Sequence, residues 1–255
     1  MSTPTKRKKA RRFQPAVRLV CTLAGLLPLL AGNVRGAEAA LVSASVSNGY
    51  ARARLPDGSF RPETYVLGDG GLFRTTVAGD GIDTLPFRKI ADTIAPALAA
   101  RKYVSATDPQ KTDLLIVVSR GSTERLNNND PGYWEIRKRN AGFLGFVTDM
   151  NRHVPLDFTT FARDLRTELE APRYFVVLQA YDFQAAWKEK KLKLLWETRF
   201  SIETQGNNFV ESLPLMARQA SLVFGRETDG LLRPEDRQSR VDLGELKVIG
   251  IEPTK

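Results

Sequence analysis

The chain has 255 residues, with 38 lysines and arginines against 29 aspartates and glutamates, and a formal net charge of +9. Eight of the basic residues and only one acid fall within positions 1–39, so the remainder holds 30 basic and 28 acidic residues and is close to neutral. That division removes the basic footprint a nucleic-acid binder needs. The length after position 39 suits one sizeable core.

The first 39 residues read as a bacterial export signal. Lys6, Arg7, Lys8, Lys9, Arg11, Arg12 and Arg18 form a basic start, Leu19 to Ala31 an apolar run, and Ala37-Glu38-Ala39 a small-x-small cleavage site. The expectation is a signal peptide over 1–39 and a protein exported to the periplasm or cell envelope. The apolar run is shorter than a transmembrane helix needs and contains Gly25 and Pro28. A retained N-terminal anchor is the alternative. Cys21, the one cysteine, opens the apolar run instead of following it, which is the wrong place for a lipid-bearing cysteine. The expected mature chain has no thiol for a disulfide, a nucleophile or a metal.

Residues 40–58 are mixed, and an extended, loosely held segment is expected there. Ser59 to Leu67 reads as a first strand, which Pro62 would place at a sheet edge and Gly68-Asp69-Gly70-Gly71 would end. Thr84 to Ala100 reads as a helix, with Phe87, Ile90, Ile94 and Leu98 in one stripe and Pro96 as a kink. Asp113 to Ser119 is an apolar run between turn residues and predicts a central strand. Asn127 to Gly132 is a loop, and Tyr133 to Asn140 a short helix with a basic face. Gly142 to Val147 is apolar and glycine-spaced. Phe158, Phe161, Leu165 and Leu169 mark an amphipathic helix that stops at Ala171-Pro172.

Tyr174 to Phe183 is a strand apolar on both faces. Lys193 to Ile202 alternates, with Leu194, Trp196, Thr198, Phe200 and Ile202 on a buried face and Glu197 and Arg199 on a wet one. The charged connection from Gln184 to Lys191 predicts an antiparallel hairpin. Asn208 and Glu211 have capping-box spacing before a helix that runs to Phe224, with Pro214 pushing its start to Ser212 and Gly225 as its stop. Leu243 to Ile251 predicts a last strand. The expected architecture is α+β: a mostly antiparallel sheet of four or five strands with helices on one face, in the order β-α-β-(α insertion)-β-β-α-β. It forms a single domain over 40–255 with a helical insertion at about 120–172.

Arg101-Lys102-Tyr103 followed by Asp113-Leu114-Leu115-Ile116-Val117, a helix ending before a turn into an apolar strand, resembles exported, lipoprotein-like envelope proteins of bacteria. The resemblance covers roughly residues 59–119. It implies a small helix-on-sheet fold and an accessory role in the envelope, and it brings no catalytic residues with it.

The residues offer little for catalysis. His153, the one histidine, lies in a polar loop, and no G-x-S-x-G elbow supplies a serine. Asp69, Asp80 and Asp83 lack the spacing of a calcium loop, and Gly68 to Gly71 lacks the lysine of a phosphate loop. No metal or cofactor is expected. Asp182 and Glu197 are the first suspects for an alternative, a carboxylate-dependent periplasmic hydrolase. A small-ligand carrier is the other, and needs a deep apolar pocket. The favoured reading is a non-catalytic interaction or accessory module whose partner is an envelope protein or an anionic envelope surface. Tyr133, Trp134, Arg137, Lys138 and Arg139 combine aromatic and basic character in the longest insertion, with Trp187 a second candidate. The competing reading is an ordinary solvated helix that buries Trp134.

Overall fold

The structure, a computed structural model, describes residues 40–73, 81–127, 129–146 and 160–234. The expected export signal, His153, Asp80 and the expected strand from Leu243 to Ile251 lie outside the described residues. Six strands form one sheet: β1 (Leu41–Val46), β2 (Glu63–Phe73), β3 (Tyr103–Ser105), β4 (Leu114–Ser122), β5 (Arg173–Asp182) and β6 (Leu194–Glu203). Among the described residues five helices accompany them: α1 (Phe87–Ala99), α2 (Tyr133–Leu144), α3 (Thr160–Glu170), α4 (Phe183–Glu189) and α5 (Phe209–Ala220).

The strand order is β1-β6-β5-β4-β2-β3. The pairs β1/β6, β6/β5 and β5/β4 are antiparallel, while β4/β2 and β2/β3 are parallel. The fold is thus α+β with a mixed sheet, curled strongly into a half-barrel. Register shifts at Asp69/Gly71 in β2 and opposite Ala180/Tyr181 in β5 add local bending to the natural twist of the strands.

Helices on one face alone do not describe this sheet. Tyr174, Val176, Leu178 and Ala180 of β5 join a core with Ile90, Ile94 and Leu98 of α1 and Leu213, Met216 and Ala217 of α5. The alternate residues Phe175 and Val177 join a second core with Ala141 and Leu144 of α2 and Leu165 and Leu169 of α3. Helices therefore pack on both faces, because a strand apolar on both sides leaves hydrocarbon in water unless both are covered. The Phe175 ring stacks on Phe143 at 4.8 Å.

Several boundaries differ from the sequence reading for local reasons. Residues 41–46 are a paired edge strand, held from outside by Leu232, whose N–H donates to the Val42 carbonyl at 2.8 Å. The glycine run does not end β2. The Gly71 N–H donates to Asp69 Oδ1 at 2.9 Å, and the strand continues through this bulge to Phe73. Pro62 precedes β2, so its missing N–H costs the ladder nothing, and three-residue β3 takes the edge. The segment joining β5 to β6 folds as α4, capped by Asp182, which accepts from the Ala185 N–H at 3.1 Å. Helix α5 starts at Phe209, because Asn208 Oδ1 accepts from the N–H groups of Val210 and Glu211. Pro214 lies inside that helix. No described helix is long and apolar enough to cross a membrane.

Candidate interaction surface

Helix α2 carries most of the candidate residues, and its periodicity divides them. Tyr133, Arg137, Asn140, Ala141 and Leu144 recur at helical spacing and are buried. The Tyr133 hydroxyl donates to Glu170 Oε1 at 2.7 Å, and Arg166 Nε donates to the same oxygen at 2.9 Å. Burial and the bond to Glu170 both push the Tyr133 phenol above its ordinary value. Asn140 Nδ2 donates to the Glu124 and Leu169 carbonyls at 2.9 and 3.3 Å. These bonds tie α2 to the end of β4 and to α3. The helix stops at Gly145, whose φ of +81° favours glycine and whose missing Cβ leaves room for the Ser43 hydroxyl.

The opposite face of α2 is exposed. Trp134 is 65% exposed, which overturns the reading of a helix that buries it. The Arg137 guanidinium lies 5.3 Å from the Trp134 ring centroid, and the Tyr133 ring meets Trp134 edge-on at 5.3 Å. Lys138 is exposed, and Arg139 is half exposed with Nη2 2.8 Å from Glu124 Oε2. Of the five α2 candidates, Trp134, Lys138 and Arg139 reach solvent, whereas Tyr133 and Arg137 hold the helix and its tryptophan in place.

Trp187 is 40% exposed on α4, with Lys188 Nζ 5.7 Å from its ring and Phe183 6.1 Å away. Helix α4 follows the last residue of β5, while Tyr133 contacts Glu170 just before the first. Ten strand residues separate the two, roughly 30 Å at about 3.3 Å per residue. The two aromatic-basic candidates are separate surfaces.

The carboxylates suspected of acid-base work are apart. Glu197 stands opposite Gln179, three residues along β5 from Asp182 and on the other face of the sheet. Asp182 caps α4, while Glu197 accepts from Arg199 Nε at 2.6 Å and from Gln179 Nε2 at 2.8 Å. Arg199 also donates to the Gly142 carbonyl, so the face expected to be wet is half covered by α2. Beside it, a cavity of about 490 Å³ is lined by Ser43, Ser45, Glu197, Arg199 and Glu227, a polar lining unlike that of an apolar ligand carrier. Asp69 accepts from the Gly71 N–H and faces Arg120 at 3.2 Å.

The sequence reading passed over a polar cluster at the start of β2. Arg52 is buried, with Nε 3.3 Å from Glu63 Oε2 and Nη1 donating to the Arg101 carbonyl at 2.8 Å. The Tyr50 hydroxyl donates to the same Glu63 oxygen at 2.7 Å. Burial holds the Glu63 carboxyl above its ordinary 4.5, although the Tyr50 bond and the Arg52 cation pull it down. A raised carboxyl binds its proton more tightly in the folded chain. Its stabilising contribution is full below the unfolded pKa and is lost as pH rises through the folded value. Glu63→Gln should therefore gain stability relative to the native protein as pH rises from about 4 to about 7, read as paired melting temperatures. A difference that stays constant with pH would mean that Glu63 titrates normally. The one hint in the sequence was Arg52-Ala53-Arg54, two arginines at strand spacing in a segment read as loose.

No family model and no curated protein matches the chain. Among solved structures there is distant similarity to bacterial proteins. A PDZ domain protein from Parabacteroides distasonis is 14% identical with a TM-score of 0.35, over 74% of this chain. The chain spans only 38% of that protein's length. The PelC dodecamer subunit from Paraburkholderia phytofirmans is 8% identical with a TM-score of 0.34, covering 74% of this chain and 99% of that one. A DUF4136 family protein from Bacteroides thetaiotaomicron is 16% identical with a TM-score of 0.35, covering 72% and 94%.

Proposed function

We propose that this chain is a non-catalytic interaction module of the bacterial cell envelope, exported by its first 39 residues and docking a protein partner through the outer face of α2. The observation that carries the reading is Trp134, 65% exposed on a helix fixed from behind by Tyr133 and Asn140. A large, rigid aromatic that the fold does not bury is the kind of group that anchors an interface. Lys138 and Arg139 flank it, so the complementary surface is an apolar pocket rimmed by carboxylates. The export signal supplies the compartment.

Crosslinking in intact cells, read by mass spectrometry, tests this. The native chain should give a reproducible envelope partner, and the same run should find a mature N-terminus at Ala40. Trp134→Ala should weaken that partner's capture about 30-fold, the equivalent of about 2 kcal/mol at a central aromatic. Its melting temperature should stay within about 2 °C of native, because an exposed side chain contributes little to folding. Undiminished capture by Trp134→Ala would exclude this face. The point substitution is the cleaner test, since deleting the insertion would remove Ala141 and Leu144 from the core.

A further inference from the structure

Three guanidinium groups gather on one ring. The Arg52, Arg54 and Arg226 side chains place Cζ 4.6, 4.4 and 5.2 Å from the centroid of Phe60. Arg101 and Lys102 line the same cavity of about 220 Å³, between the end of α1 and the segment after α5. Four cations, Arg52, Arg101, Lys102 and Arg226, thus line the cavity with Arg54 on the ring beside it, and of these Glu63 pairs with Arg52. Among the described residues no carboxylate lies within 4.0 Å of a cationic nitrogen of Arg54, Arg101, Lys102 or Arg226.

Local structure accounts for part of this gathering. Arg101 and Lys102 follow the C-terminus of α1, where the helix dipole favours cations, and Arg52 satisfies the Arg101 carbonyl. Arg54 likewise donates Nη1 to the Gly58 carbonyl at 2.8 Å, but neither role extends to Arg226. Phe60 offsets some of the repulsion through its ring face, but a ring quadrupole cannot neutralise several full charges. Even with the Asp57 carboxyl within the field of Lys102, the cations around the cavity outnumber the nearby carboxylates.

We propose that this cavity binds a phosphomonoester-type dianion, held by Arg101, Lys102 and Arg226 at the edge of the cluster on Phe60. The donors come from two parts of the chain, Arg101 and Lys102 after α1 and Arg226 after α5, which suits a tetrahedral group with three oxygens, whereas a flat carboxylate takes a single fork. The cavity accommodates the phosphate with little attached to it. Leu222, 41% exposed, lines the same cavity, so the phosphate's remaining substituent meets hydrocarbon. The phosphate belongs either to a small soluble molecule or to a lipid headgroup.

Calorimetric titration of the full chain with inorganic phosphate at low salt distinguishes these sources when run beside sedimentation with vesicles. The vesicles are phosphatidylcholine alone, or the same lipid with phosphatidic acid or with phosphatidylglycerol. Saturable binding of inorganic phosphate assigns a soluble ligand. Binding to phosphatidic acid vesicles alone assigns a headgroup. In either case Lys102→Glu with Arg226→Glu should weaken binding at least tenfold, Arg226→Gln alone should weaken it severalfold, and Trp134→Ala should leave it unchanged. Arg226 and Lys102 are exposed, so circular dichroism should show both variants folded. The proposal is overturned by no binding in any arm, by undiminished binding in folded variants, or by equal binding to phosphatidylglycerol, which would be nonspecific attraction to negative charge.

Discussion

Arg173→Met should cost the fold about 3 kcal/mol, read as a lower urea midpoint at unchanged slope. Arg173 opens β5 and its side chain is 1% exposed. Its guanidinium bonds Glu168 of α3, donates to Ser201 Oγ at 3.1 Å and lies 3.5 Å from Glu203 across the sheet. One cation thus ties α3 to β5 and β6. Removing it leaves Glu168, only 16% exposed, with Arg233 as its remaining partner at 2.5 Å. A buried carboxylate stripped of a partner is costly, and that retained contact keeps the loss near the lower end of the usual range. Adding Glu168→Gln should recover part of it. A loss under about 1 kcal/mol would mean that Arg233 alone holds Glu168.

Trp196→Ala should cost more, about 3–5 kcal/mol, and Trp196→Phe clearly less. Trp196 is fully buried on the β6 face that meets α5. It stacks on Phe224 at 5.9 Å and packs at 5.8 Å against Tyr103 of edge strand β3. Those contacts run from β6 across the core to the far edge of the sheet, so truncation opens a void that no single neighbour can fill. Thermal unfolding should show a melting temperature lower by more than about 8 °C. A change of a degree or two would mean that the half-barrel closes over the gap.

What the sequence showed of this fold follows from which patterns are local. The apolar run of β4, the alternation of β6 and the stripe of α1 each report one segment's own burial, and each was legible. Strands β1 and β3 were not, because their partners, Phe200 for Val42 and Thr64 for Val104, lie far along the chain. The second helical layer was written in β5, where Phe175 and Val177 are as apolar as Tyr174 and Val176, but that pattern does not say which helices do the covering. At the candidate surface, composition identified the aromatic-basic segment. Neighbours decided its roles: Glu170 draws Tyr133 inward and leaves Trp134 outside. The arginines around Phe60 were invisible as a group because Arg226 joins Arg52 and Arg54 only once the chain has folded.

The outermost strand imposes an order on biosynthesis. Ala44 pairs with Thr228 across 184 residues, and Ala40 with Gln219 across 179. At about 5–20 residues per second, β1 leaves the ribosome roughly 10–40 s before its fastening partners are made. Its ladder partner β6 is made roughly 20–30 residues before those fastenings, and loop closure over such a distance makes the final docking slow. The edge of the sheet that begins the chain is therefore closed by residues near the end of the described chain, so β1 is among the last strands to find its full set of partners.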